Sequence, residues 1–183
     1  KLRLQSRAER LVSLRKSLQM SESGDLDIQV EPEIFAGPDG SPILFVSVGA
    51  AAHQFNLKKG SRESRVEGEI LIQIVNSFSQ KIPLYHNGSV DEAFDNSLFE
   101  GSSKPFINYQ TVLPLSPGLY ELRAIIRDGR SGKFGVKRSS FLVSNFRGNS
   151  VPSSLLMTRY TTTSNETEIE AVSYTHLTLP TKR

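Results

Sequence analysis

The chain contains neither cysteine nor tryptophan. Without cysteine there can be no disulfide and no thiolate metal site, although this leaves the compartment open, since exported bacterial proteins often lack cysteine too. Long hydrophobic runs are also missing. The longest, from Pro42 to Ala52, is interrupted by Ser47 and Gly49 and falls far short of the roughly 20 residues that span a bilayer. Phosphate-cradling glycine loops are absent as well. GSRES at 60–64 and DGRSGKFG at 128–135 lack the Gly-x-x-x-x-Gly-Lys-Ser/Thr spacing that such a loop requires.

What is present suffices for a core. Of 183 residues 37% are hydrophobic, with ten Phe and five Tyr, which supports one or at most two modest domains and argues against wholesale disorder. The net charge of +3 and basic pI would invite a nucleic-acid partner, but the distribution of charge opposes one. Residues 1–20 carry a net +5 and residues 172–183 a net +2, so residues 21–171 are acidic at −4. A surface that grips a phosphate backbone needs its basic excess on the folded body. No nucleic-acid partner is expected.

The first twenty residues, KLRLQSRAERLVSLRKSLQM, place Leu4, Ala8, Leu11, Leu14 and Leu18 at spacings of three and four, without Gly or Pro. This predicts a linker helix over 1–20, its Leu stripe docked on the following domain and its Arg residues solvated. With no initiator Met and no signal sequence, the chain is expected to begin inside a longer protein. At the other end, Val172 to Thr181 resembles, residue for residue, a translated transposase sequencing adapter, so 172–183 are read as an artefactual tail and His176 is set aside with them. Residues 151–171 are expected to start a further, truncated segment.

Between the ends, residues 21–150 read as short strands separated by turns. Strands are expected at Asp25–Glu31, continuing past Pro32 through Glu33–Ala36, and at Ile43–Val48, Val66–Phe78, Lys81–Tyr85, Phe106–Leu113, Leu119–Arg127, Lys133–Val143 and Leu155–Tyr160. GPDGSP at 37–42 is a turn and 57–64 a loop. Ile70, Ile72 and Ile74 alternate with Leu71, Gln73 and Val75, the pattern of a strand near a sheet centre. Pro83 confines its strand to an edge or bulge. Residues 86–104 are expected to be the longest irregular region, with one helical turn at 90–95. Pro117-Gly118 suits a type II turn. Tyr120 follows at a strand head, where its ring can enter a sandwich core and its hydroxyl cap a backbone group. The fold class expected is all-β: an immunoglobulin-like or fibronectin-like antiparallel β-sandwich with an N-terminal linker helix.

Motifs that carry chemistry are few. His53 and His86 lack a neighbouring Ser, Cys or Asp in a triad-like pattern, so surface or satisfied histidines are expected. Asp91, Glu92 and Asp95 lack the Asp-x-Asp-x-Asp-Gly calcium spacing and read as a solvated acidic loop. Arg123, Arg127, Arg130, Lys133, Lys137 and Arg138 are the one basic concentration in the body. They could dock an acidic partner or polysaccharide, but alternation favours a solvated outer sheet face. The sequon at Asn165 carries no assignment by itself. No catalytic, cofactor-binding or metal-ligating residue is assigned, no cofactor is expected, and the chain is not read as an enzyme.

Residues 109–146, YQTVLPLSPGLYELRAIIRDGRSGKFGVKRSSFLVSNF, resemble the segment after the A-type domain in von Willebrand factor A-related proteins of Acidobacteria. Tyr109, Pro117, Gly118, Tyr120, Gly132 and Gly135 carry the likeness, which extends more loosely over 1–160 through Pro38-Asp39-Gly40 and Ser153 to Thr158. The resemblance implies an exported or cell-envelope protein whose A-type domain lies before Lys1. No Asp-x-Ser-x-Ser adhesion motif occurs here, so metal-mediated binding does not carry over. The expected function is a non-catalytic spacer or protein-interaction module. The alternatives are carbohydrate or matrix binding, or an accessory domain of a secreted hydrolase.

Overall fold

The computed structural model describes residues 7–146 except 22, 38 and 103. The expected strand at 155–160, the segment 151–171, the sequon and the tail 172–183 lie outside the described residues. One helix, α1 (Arg7–Met20), precedes eight strands: β1 (Ile28–Ala36), β2 (Pro42–Ala51), β3 (Lys58–Lys59), β4 (Glu63–Asn76), β5 (Leu84–Asp95), β6 (Phe106–Pro114), β7 (Gly118–Asp128) and β8 (Phe134–Val143). The fold is an all-β antiparallel sandwich with an N-terminal helix. One sheet runs β1-β2-β6. In the other, β4 pairs with β5 along one edge and with β7 along the opposite edge, β8 continues beyond β7, and β3 extends the β7 side of β4. No helix among the described residues is long and apolar enough to cross a membrane.

Alternation builds the core. Leu44, Val46 and Val48 of β2 face Ile70, Ile72 and Ile74 of β4 and Leu122, Ala124 and Ile126 of β7, all fully buried. Tyr120 enters this core at the head of β7, stacks on Phe141 and donates from its hydroxyl to the Ser116 carbonyl at 3.1 Å. Gly118, however, sits at φ +158° as the first residue of β7. A type II turn needs about +80° there, so the expected turn type does not form.

The largest correction concerns residues 86–104. Instead of an irregular region, the chain runs as β5 from Leu84 to Asp95, paired with β4 from Ile74 to Glu63. Helical geometry comes later, as a 3₁₀ turn at Asn96–Phe99 capped by the Asp95 carboxylate on the Ser97 N–H at 2.9 Å. Pro83 lies just ahead of β5, where a missing N–H breaks no ladder bond. Lys133 likewise falls in the turn before β8, so it shares no strand face with Lys137.

Candidate interaction surface

The outer face of the larger sheet follows from the registers. From one end to the other its rows are Glu69, Arg127 and Phe134; Leu71, Ile125 and Val136; Gln73, Arg123 and Arg138; Val75, Glu121 and Ser140; and finally Leu119 and Leu142, beyond which the Ser77 N–H bonds the Leu119 carbonyl. The helix covers part of it. Leu14 and Leu18, with half-buried Leu11, close a second small core over Leu71, Ile125 and Val136. The Arg15 guanidinium lies 4.8 Å over the Tyr85 ring of β5. Leu11, Leu14 and Leu18 of the expected stripe thus pack on the sheet, while Leu4 lies outside the described residues, and the face beneath is not the plainly solvated one that alternation favoured.

The basic concentration is divided. Glu121 accepts from Arg123 at 2.7 Å (Nε) and 3.1 Å (Nη2), and Arg138 lies 3.9 Å from the same carboxylate. The Arg123 bond holds the Glu121 carboxyl below its ordinary range. Arg127 lies beside α1 with Ser13, Leu14 and Ser17. Lys137 pairs with inward-facing Ala124 and so points to the opposite face at the sheet's edge. Charge on the outer face is thus mixed in sign.

Gln73, read in the sequence only as one position of a central strand, is a fully buried polar side chain. It stands between Tyr85 and Arg123, has no exposure, and neither its amide oxygen nor its nitrogen has a hydrogen-bond partner. An orphaned buried polar group costs about 1–3 kcal/mol. Gln73→Leu is therefore expected to raise stability by about 1 kcal/mol, read as a higher midpoint in denaturant unfolding. A lowered midpoint would show that the amide has a partner in solution.

Beyond the Glu121 cluster the face turns apolar. Leu119 and Leu142 are direct cross-strand partners, 37% and 65% exposed, and Phe78 in the adjoining β4–β5 turn is 84% exposed. An exposed apolar pair beside an ion-pair cluster is the pattern of a protein-contact surface.

The remaining sequence candidates are dispersed. His53 is exposed in a 3₁₀ turn at Ala52–Gln54. His86 lies on the inner face of β5, and its Nε2 is 2.6 Å from the Tyr109 hydroxyl, whose ionisation burial pushes up. Gly88 makes this contact possible, because a Cβ there would lie 2.4 Å from the Tyr109 ring. Asp91 ion-pairs with Arg65 at 2.7 Å, and Asp95 is held below its ordinary range by the Ser97 hydrogen bonds. Glu92 points to the other face, where burial raises its pKa. Alternation along β5 thus separates Glu92 from the other two acids. Among the described residues no group of three His, Asp or Glu side chains could hold a metal ion.

No protein-family model matches the chain, and no curated protein matches it. Among solved structures it is similar to a Bordetella pertussis protein provisionally named ApaA, at 16% identity over 68% of this chain and 96% of that one, with a TM-score of 0.39. It is also similar to a Northeast Structural Genomics Consortium target, SoR45, at 11% identity over 76% of this chain and 97% of that one, with a TM-score of 0.36. Likeness at this level says nothing of activity.

Proposed function

We propose that the chain is a non-catalytic, immunoglobulin-like or fibronectin-like module of a larger exported protein, which contacts a protein partner beside a von Willebrand factor A-type domain. The observation that carries this reading is the exposed Leu119–Leu142 cross-strand pair, with exposed Phe78 in the adjoining turn, next to the Glu121, Arg123 and Arg138 cluster. The pair supplies apolar area, and the charges give orientation without a strong field of one sign. Two features support the architecture: a three-stranded sheet facing a larger one, and a tyrosine at the head of β7 bonded four residues upstream. The A-type neighbour and the export rest on the resemblance in 109–146.

Carbohydrate recognition would favour exposed rings gathered beside polar groups on one face. Phe78, Tyr85 and Phe106 instead lie in a turn, under Arg15 and on the smaller sheet. The deciding experiment recovers the source gene upstream of Lys1. An A-type domain there supports the reading, and a hydrolase domain overturns it in favour of an accessory domain. In the recovered protein, Leu119→Lys with Leu142→Lys should abolish the partner contact while leaving the fold intact.

A further inference from the structure

Apart from the two-residue β3, which is Lys58–Lys59, four strands bound the two sheets, and three of them carry features that deter pairing with another chain. β1 has Pro32 between Glu31 and Glu33, and its rim is closed by β8, where the Leu26 N–H bonds the Phe134 carbonyl at 3.2 Å. β5 carries Asp91, Glu92 and Asp95, and β8 carries Lys137 and Arg138. β6, FINYQTVLP, has no charged residue and no proline before its last position.

Its free edge also has a definite backbone pattern. At one end of the β2–β6 ladder the Ala52 N–H bonds the Pro105 carbonyl, and at the other the Leu115 N–H bonds the Pro42 carbonyl. Antiparallel pairing alternates, so the odd-numbered residues of β6 bond β2. Phe106, Asn108, Gln110 and Val112 turn their N–H and C=O groups away from β2, and no strand meets them among the described residues. The same four side chains stand exposed on the sheet's outer face, Phe106 at 42% and Val112 at 59%.

We propose that this edge pairs with the β6 edge of a second copy of the chain, joining two three-stranded sheets into one. A two-fold axis through Tyr109 sets Phe106 opposite Val112 of the other copy and Asn108 opposite its Gln110. Apolar then meets apolar and amide meets amide, with all four outward residues able to exchange both backbone bonds. A neutral strand meets its own copy without like-charge repulsion, which the charged β5 and β8 edges would incur. The parity is fixed as well, because only even-with-even pairing keeps both outer faces on one side.

The test is sedimentation of the full chain over a concentration series, with amide exchange read residue by residue. The expected result is a concentration-dependent dimer in which the amides of Phe106, Asn108, Gln110 and Val112 become protected, while Ile107, Tyr109 and Thr111 are protected throughout. Gln110→Pro removes an N–H that β2 does not use, and Val112→Lys puts charge opposite Phe106. Each should weaken the dimer at least about tenfold with an unchanged circular dichroism spectrum. A chain monomeric at every concentration, a dimer that both variants leave intact, or protection that does not follow the alternation overturns the proposal. A monomer that binds other strands at this edge overturns it equally.

Discussion

Asp128→Ala is expected to destabilise the fold by about 3 kcal/mol, lowering the thermal midpoint by something on the order of 10 °C. Asp128 is the last residue of β7 and is 1% exposed. Its carboxylate accepts from the Arg130 N–H at 3.0 Å, from the Ser131 hydroxyl, and from the Asn56 N–H at 2.8 Å, seventy-two residues away. One side chain thus shapes the β7–β8 turn and ties it to the segment that crosses between the sheets after β2. Alanine leaves those donors without their acceptor at a site with little room for water. Asp128→Asn keeps the shape but presents an amide nitrogen to donors, so its loss should be smaller than alanine's yet clearly measurable. An alanine variant within half a kcal/mol of the parent would show that water replaces the carboxylate freely.

The same residue predicts a pH dependence. Burial alone pushes the Asp128 carboxyl up, but the bonds from Ser131, Arg130 and Asn56 together outweigh it, and the net pKa lies below that of an ordinary aspartate. Folding therefore lowers proton affinity here. The stabilisation is present above the unfolded-state value of about 3.9 and is lost as pH falls through the lower, folded-state value. Asp95 and Glu121 are depressed in the same direction. The parent should lose stability steeply on the acid side, and Asp128→Asn should flatten that limb without removing it.

Why some of this was legible in the sequence and some was not follows from burial. β4 and β7 bury apolar side chains on both faces, so Ile70 through Val75 and Leu122 through Ile126 announce a central strand and its neighbour without ambiguity. Tyr120 could be placed because a tyrosine at the head of a strand has a recurrent use in a sandwich, its ring in the core and its hydroxyl on nearby backbone. β5 escaped for the opposite reason. It lies at the rim, where the inward positions hold His86, Gly88 and Glu92 beside Leu84, Val90 and Phe94. His86 and Gly88 are there to meet Tyr109, a partner on the other sheet that no local window contains. Gln73 and Asp128 were hidden likewise, since what surrounds each is set by strand register and by Asn56, far away along the chain. The outer patch of Leu119 and Leu142 needed the β7–β8 register before its two members could be seen as neighbours.

Close approach of two backbones yields the second large effect. Where β8 passes the chain entering β1, a Cβ on Gly135 would lie 2.4 Å from the Leu26 carbonyl oxygen and 2.5 Å from Ile28 Cγ2, and one on Gly24 would lie 2.1 Å from the Phe134 carbonyl oxygen. The two carbonyl oxygens are backbone atoms that cannot rotate aside, so either methyl must push the two sheets' edges apart and strain the Leu26–Phe134 hydrogen bond. Gly135→Ala is expected to cost about 2–3 kcal/mol by denaturant unfolding, the range for an overpacked interior site. Gly24→Ala should cost a similar amount, because it opens the same seam from the other side. The pair distinguishes this account from a generic glycine effect. If both act by separating β1 from β8, the second methyl meets a seam already opened, and the double variant should lose at least about 1 kcal/mol less than the sum of the singles. Strict additivity would mean that the two glycines act independently, and that this rim of the sandwich is not closed by the Leu26–Phe134 contact.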